Sequence, residues 1–266
     1  VKELVEQNYE KFRSYNLDAG IFSAGLNQKD SSQKVIFGSI QSVARADKGF
    51  FNDFSLLVID ECHRVSGEDG TQYSEVIESM RVANPDLCIL GLTATPYRLD
   101  IGWIYQYNHQ GFLCATEDRL FKKCIFEISL RQMIEAGYLT PPVQIDAPVA
   151  SYDFSSLKLP SGQQAFNLAE IEAILKDQSR VTPIIIKNII EMAEGRKGVI
   201  IFTASVRHAK EILTHLPRSQ SAMIIGDMAA EDRDRIIAQF RDQKIRFLVN
   251  VSVLTTGFDA PHVDLI

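Results

Sequence analysis

Two short apolar runs, each stopped abruptly by residues that carry chemistry, constrain this chain more than any other feature. Ser55-Leu56-Leu57-Val58-Ile59 has no helical gaps and ends in Asp60, Glu61, Cys62 and His63. Leu87 to Leu92 is a second such run, and it ends in Thr93-Ala94-Thr95-Pro96. Aliphatic runs of this length read as strands buried on both faces of a parallel sheet. Ligands of such sheets sit just beyond the carboxyl ends of the strands. The two strands therefore deliver an acidic pair and a hydroxyl pair to one sheet edge. Adjacent carboxylates there can hold a hydrated Mg2+ and polarise a water.

The rest of the chain alternates in the same manner. Leu4, Val5, Tyr9 and Phe12 recur at helical spacing, which predicts an amphipathic helix over 2–14. Ile21 to Gly25 and Val35 to Phe37 read as short strands, and Ser39 as the N-cap of a helix running to Ala46. Tyr73, Val76, Ile77 and Met80 mark another helix; Phe126 to Ala136 resembles a closing strand and helix of a first unit. Ile101 to Tyr107 carries the only Trp, with aromatics that either stack on bases or pack against the domain. From 143 the composition shifts to Pro, Ser, Gly and Gln, the mark of a linker, which ends in a helix over 168–175. A helix capped by Ser179 follows, then strands at 198–202, 223–225 and 247–251 separated by helices. We thus expect an α/β protein with a first parallel-sheet unit over 1–142, a linker over 143–178 and a second unit over 179–266. The 266 residues, 45% of them hydrophobic, suffice for two such cores.

Charge and cysteines narrow the classes. The net charge of −6 does not announce a basic nucleic-acid face, though backbone amides can still hold phosphates. Four cysteines at 62, 88, 114 and 124 form no C-x-x-C pair, which predicts reduced thiols in a cytoplasmic protein. The five histidines lack ligand spacing, so a His/Cys metalloenzyme is set aside. No apolar stretch reaches the ~20 residues of a membrane span. The chain opens inside a helical pattern and stops inside a strand, which reads as a fragment of a larger protein.

Ile59-Asp60-Glu61-Cys62-His63 followed by Leu92-Thr93-Ala94-Thr95-Pro96 resembles motifs II and III of a superfamily 2 helicase of the DECH-box kind. Val199 to Thr203 is similar to motif IV, and Thr255 to Pro261 to motif V, with Gly257 and Asp259 in signature places. Val1 to Gln7 resembles the tail of motif Ia, and Gly38 to Ser42 the motif that grips one strand through Ser39 and Gln41. Gly102 to Tyr105, Gly137 to Pro142, Tyr152 to Ser155 and Thr255 to Ile266 are similar to the bacterial YejH (RadD) type of DNA-repair helicase-like protein.

The resemblance implies two RecA-like domains of the P-loop NTPase helicase type, both truncated here, with ATP in the cleft between them. It implies that Asp60 holds Mg2+ through water and that Glu61 orients or deprotonates the attacking water. His63 would couple the site to motif III, where Thr93 and Thr95 link nucleotide state to domain closure. Gly257 and Asp259 would meet the nucleotide, and Thr256 the nucleic-acid backbone. DNA, single-stranded or branched, is the implied partner, with a single-strand-binding protein on family grounds only. Yet no G-x-x-x-x-G-K-[ST] loop exists in these residues, and the arginine-finger segment is absent, so the chain alone is expected to hydrolyse ATP negligibly. The motor of a type I or type III restriction enzyme and a non-catalytic nucleic-acid-binding module remain as alternatives.

Overall fold

A computed structural model describes residues 2–65, 70–98, 101–145, 150–158, 166–254, 258 and 260–266. The chain divides into two compact units, Val1–Pro142 and Val143–Ile266.

In the first unit, α1 (Lys2–Arg13) precedes a small sheet of β1 (Gly20–Ser23), β2 (Gln28–Lys29) and β3 (Ile36–Gly38), ordered β2-β1-β3. The apolar stripe of α1 is what docks it there: Val5 is buried, and Tyr9 and Phe12 meet the Phe37 ring edge-on at 6.2 and 5.5 Å. Next come α2 (Ile40–Val43), β4 (Leu56–Asp60), α3 (Gln72–Ala83) and β5 (Cys88–Leu92). Thr71 and Ser74 satisfy each other's backbone amides at the start of α3, the reciprocal pairing of a capping box. Two short ladders follow, β6 (Tyr97–Arg98) with β7 (Gly102–Trp103) and β8 (Tyr105–Tyr107) with β9 (Phe121–Lys123), then α4 (Leu130–Glu135).

Several local expectations need correction. β4 is buried on one face only: Ile59 is 5% exposed, but Leu56 and Val58 are 50% and 48% exposed. Among the described residues β4 pairs with β5 alone, and Val76, Ile77 and Met80 of α3 join cores with Leu57 and Ile59, covering one side of that ribbon. The helix after Ser39 stops at Val43 rather than Ala46, and Phe126 to Ser129 is an irregular segment instead of a strand. Phe126 is largely exposed, with no ladder partner to hold it extended.

The second unit is more regular. It holds α5 (Leu168–Asp177), α6 (Val181–Met192), β10 (Gly198–Phe202), α7 (Val206–His215), β11 (Ser221–Ile224), α8 (Ala230–Arg241), β12 (Phe247–Asn250) and β13 (Val263–Leu265). All pairings are parallel, in the order β11-β12-β10-β13. Alternate strand residues feed two separate cores. Val199, Ile201, Phe247 and Val249 pack with Ile186 of α6 and Ala209 and Ile212 of α7. Ile200, Leu248 and Ile224 pack with Ile237 and Phe240 of α8. Helices thus cover both faces, which is why these strands tolerate an unbroken apolar run. Asn167 caps α5 and Ser205 caps α7, whereas Arg180, not Ser179, occupies the N-cap of α6 and makes no side-chain cap bond.

Phe240 is fully buried. Phe240→Ala is expected to lower unfolding free energy by about 3–5 kcal/mol in urea titration, through lost transfer energy and the cavity left behind.

Candidate functional site

The parallel pairing of β4 and β5 sets the site. Ile59 lies beside Gly91 and Asp60 beside Leu92, so both strands end at the same level. Beyond Asp60 the chain must reverse. Glu61 adopts a left-handed conformation (φ 52°, ψ 43°), which costs a non-glycine residue about 1 kcal/mol. A single 3-10 turn, Cys62–Arg64, follows, closed by Arg64 N–H to the Glu61 carbonyl at 3.0 Å and Val65 N–H to the Cys62 carbonyl at 3.1 Å.

Burial of Cys62 anchors that turn. It is 2% exposed and packs among Ile59, Ile77, Ile104 and Tyr105. Its partner position must be a glycine: a Cβ on Gly91 would lie 2.6 Å from Phe121 Cε1 and 2.7 Å from Cys62 Sγ. Burial, followed by the nearby Asp60 and Glu61 charges, pushes the Cys62 thiol up to about 11. It is therefore a protonated packing group at neutral pH and no nucleophile.

With the thiol inward, Glu61 and His63 share a side. His63 Nδ1 lies 2.9 Å from Thr93 Oγ1, 3.2 Å from Thr95 Oγ1 and 3.3 Å from Glu61 Oε2. Thr93 Oγ1 also accepts the Thr95 N–H at 3.0 Å, folding the Thr93–Thr95 turn onto the ring. A carboxylate brings no proton to Nδ1, so the arrangement calls for hydrogen on Nδ1. The structure therefore brings together Glu61, Thr93 and Thr95 around the His63 imidazole, with Asp60 preceding Glu61 at the end of β4.

Asp60 is held at both oxygens. Oδ1 accepts the Glu61 N–H at 2.9 Å, and Oδ2 accepts the Asn8 side-chain amide at 3.2 Å. The sequence reading missed Asn8. The available signal was a polar residue at the i+3 position of the Val5–Tyr9–Phe12 stripe, the face that α1 presents to the domain.

Ser39 and Gln41 part company. Ser39 is buried, and its hydroxyl donates to Ser42 Oγ at 2.9 Å instead of capping α2; Ser42 Oγ in turn accepts the Ala24 N–H at 2.9 Å. Gln41 is exposed. A four-residue helix is too short for a phosphate site at its N-terminus. Trp103 stacks on Tyr105 at 5.3 Å and meets Tyr97 edge-on at 5.5 Å, with Arg119 Nε donating to its carbonyl at 3.2 Å; the residue as a whole is 37% exposed.

In the second unit, Thr256, Gly257 and Asp259 lie outside the described residues. The segment leading to them is held by Asn250, fully buried at the end of β12, whose Oδ1 accepts the N–H groups of Val253 and Leu254 at 3.2 and 2.9 Å. Tyr152 hydroxyl bonds Thr182 Oγ1 and His208 Nε2 at 2.9 and 3.1 Å, and Gln178 grips both backbone groups of Asp153, fastening 152–153 to α5, α6 and α7.

For a Mg2+–nucleotide group the fit is partial. Asp60 is exposed at a strand end beside Glu61, a donor set suited to an ion that keeps its waters and takes the rest of its oxygens from phosphates. Among the described residues no group of three or more His, Cys, Asp or Glu could hold a metal alone. No phosphate-cradling loop sequence occurs, so the triphosphate cradle is not supplied by these residues. Among the described residues no helix is long and apolar enough to cross a membrane.

Residues 1–98 match the family model described as "Type III restriction enzyme, res subunit", and residues 182–266 match "Helicase conserved C-terminal domain". A Schizosaccharomyces pombe protein named as a mitochondrial ATP-dependent helicase, irc3, is 22% identical over 216 residues, covering 80% of this chain and 32% of its own length. The chain spans about a third of the length of the curated relatives it matches first. Among solved structures, S. cerevisiae Dbp5 bound to RNA and ADP BeF3 matches with TM-score 0.56 and 16% identity, over 99% of this chain and 59% of that one. Mycobacterium smegmatis helicase Lhr bound to ssDNA and AMP-PNP matches with TM-score 0.54 and 16% identity, over 100% of this chain and 34% of that one. The fold is the RecA-like parallel α/β fold of these proteins.

Gly91→Ala is expected to cost about 1–3 kcal/mol in thermal or urea unfolding, because the Phe121 ring and the Cys62 thiol must both move. Under iodoacetamide at neutral pH with mass mapping, exposed Cys88 should label promptly while Cys62 stays unmodified until the protein unfolds.

Proposed function

We propose, from the premise that the matched regions and helicase relatives support a superfamily 2 helicase, that the whole protein is an ATP-dependent DNA translocase or helicase of the DECH-box, YejH (RadD) type acting in DNA repair. The observation that carries the reading is the convergence of Glu61, Thr93 and Thr95 on His63, next to Asp60 at the end of the same strand.

Mg2+ with ATP, when bound, supplies the transferable phosphoryl group and the positive charge that offsets its oxygens. Asp60, whose oxygens accept the Glu61 N–H and the Asn8 amide, would hold the ion through its waters. Glu61, set by its left-handed backbone, orients a water and takes its proton. His63 ties the Glu61 carboxylate to the Thr93–Thr95 turn, so movement of that turn is felt at the general base. Gln41, exposed where Ser39 is not, is the residue that contacts the nucleic-acid backbone, with Ser39 supporting it from within. For Thr256, Gly257 and Asp259 the proposal rests on the motif alone: Gly257 and Asp259 toward nucleotide, Thr256 toward the nucleic-acid backbone.

Single-stranded or branched DNA is the proposed substrate, supported by the likeness to an ssDNA-bound helicase; the RNA-bound likeness makes RNA the competitor to test. A single-strand-binding protein as partner and a cytoplasmic location, the latter supported by four free cysteines, belong to the same reading. The match of residues 1–98 to a restriction subunit favours one second reading, a restriction-enzyme motor, which a nuclease activity on the same protein would reveal.

The test is steady-state ATPase of the whole protein with single-stranded DNA, branched DNA or RNA. DNA should stimulate turnover, and Glu61→Gln should reduce it by about 10²-fold or more while leaving DNA binding intact. The 266-residue chain alone should turn over negligibly. Wild-type turnover in Glu61→Gln, or stimulation by RNA and not DNA, would overturn the reading.

A further inference from the structure

We infer that Asn8 is a positioning residue for the acidic pair, an inference that rests on the ATPase reading above and names a group that reading does not include. Asp60 has two carboxylate oxygens. The Glu61 N–H claims Oδ1 at 2.9 Å, a contact that comes with the turn itself. Oδ2 would be free to swing but for the Asn8 amide, 52 residues away in sequence, at 3.2 Å. Only the amide nitrogen of Asn8 can face a carboxylate, since the amide oxygen would meet it lone pair to lone pair.

The placement of Asn8 argues that the contact is built. It shares a face of α1 with Val5, Tyr9 and Phe12, and that face is seated by the buried Val5 and by the two ring contacts to Phe37. Asn8 is half-buried on that face, and the side-chain partner of its amide is Asp60, 52 residues away. α1 contacts β1 and β3, elements of a different sheet from β4, so Asn8 is a side-chain bridge between the small sheet and the acidic end of the β4–β5 pair.

Two fixed oxygens define the plane of the carboxylate. An ion that keeps its waters is sensitive to that plane, because it reaches the protein through hydrogen bonds rather than a rigid cage. Loss of an outer partner of a metal-facing group commonly weakens metal affinity about 10–100-fold when the group ligates directly; contact through water places the expected effect at the lower end.

The test measures equilibrium binding of a fluorescent ADP analogue to the whole protein across a Mg2+ titration, beside ATPase. Asn8→Ala should raise the Mg2+ concentration for half-maximal binding about 3- to 10-fold. Affinity for the nucleotide without Mg2+ should be unchanged, and kcat at saturating Mg2+ should stay within about 2-fold. Asp60→Ala should abolish the Mg2+ dependence, and adding Asn8→Ala to it should change nothing further. Asn8→Ser, whose hydroxyl is too short to reach Asp60, gives the same readout if the alanine variant fails to fold. A loss of nucleotide affinity at every Mg2+ concentration would mark a purely structural role and overturn the inference. So would an unchanged Mg2+ midpoint, or the same shift appearing on top of Asp60→Ala. If Asp60→Ala itself leaves the Mg2+ dependence intact, the ATPase reading falls and Asn8 loses its role with it. Failure confined to the Asn8 variants leaves that reading standing.

Discussion

The packing of one thiol against one glycine underlies the candidate site. Cys62 must be small, and Gly91 must lack a side chain, for the turn after β4 to sink into the core beside Phe121. That inward anchor turns Glu61 and His63 toward the strand ends. The strained backbone at Glu61 is tolerated because the cost of about 1 kcal/mol is offset by burial of the next residue. Reactivity of the cysteine is incidental, since the burial that makes it a good anchor also keeps its proton on.

The two units solve the same packing problem to different extents. In the second, residues alternate between two cores, one under α6 and α7 and one under α8, and the central strand β12 is buried throughout. In the first, α3 covers one face of the β4–β5 pair and leaves Leu56 and Val58 half exposed on the other. Among the described residues the acidic pair thus stands on a two-stranded ribbon covered on one face and joined by side-chain ties. His63 and Asn8 add side-chain bonds to the acidic pair from outside that ribbon.

Those ties connect each proposed site carboxylate to a different part of the fold. Glu61 is reached through His63 from the Thr93–Thr95 turn, and Asp60 is reached through Asn8 from α1. Each carboxylate answers to a different element. Two neighbouring residues in sequence are thus adjustable from two directions, which suits a site whose chemistry must follow movements elsewhere.

The sequence by itself determined the parallel strands, the helices between them, and the residues standing at the ends of β4 and β5. Apolar periodicity and strand-end chemistry are local properties, and the run from Ser55 to His63 carries both. Only the tertiary structure decided which faces are covered and which polar groups meet. Val58 reads as core until one counts the helices available to cover it. Ser39 reads as a helix N-cap until Ser42, three residues on, takes its hydroxyl inward. Asn8 reads as one polar residue among many on α1, because its partner lies 52 residues away. Hydrogen bonds and burial depend on what lies across space, and periodicity along the chain carries no record of that.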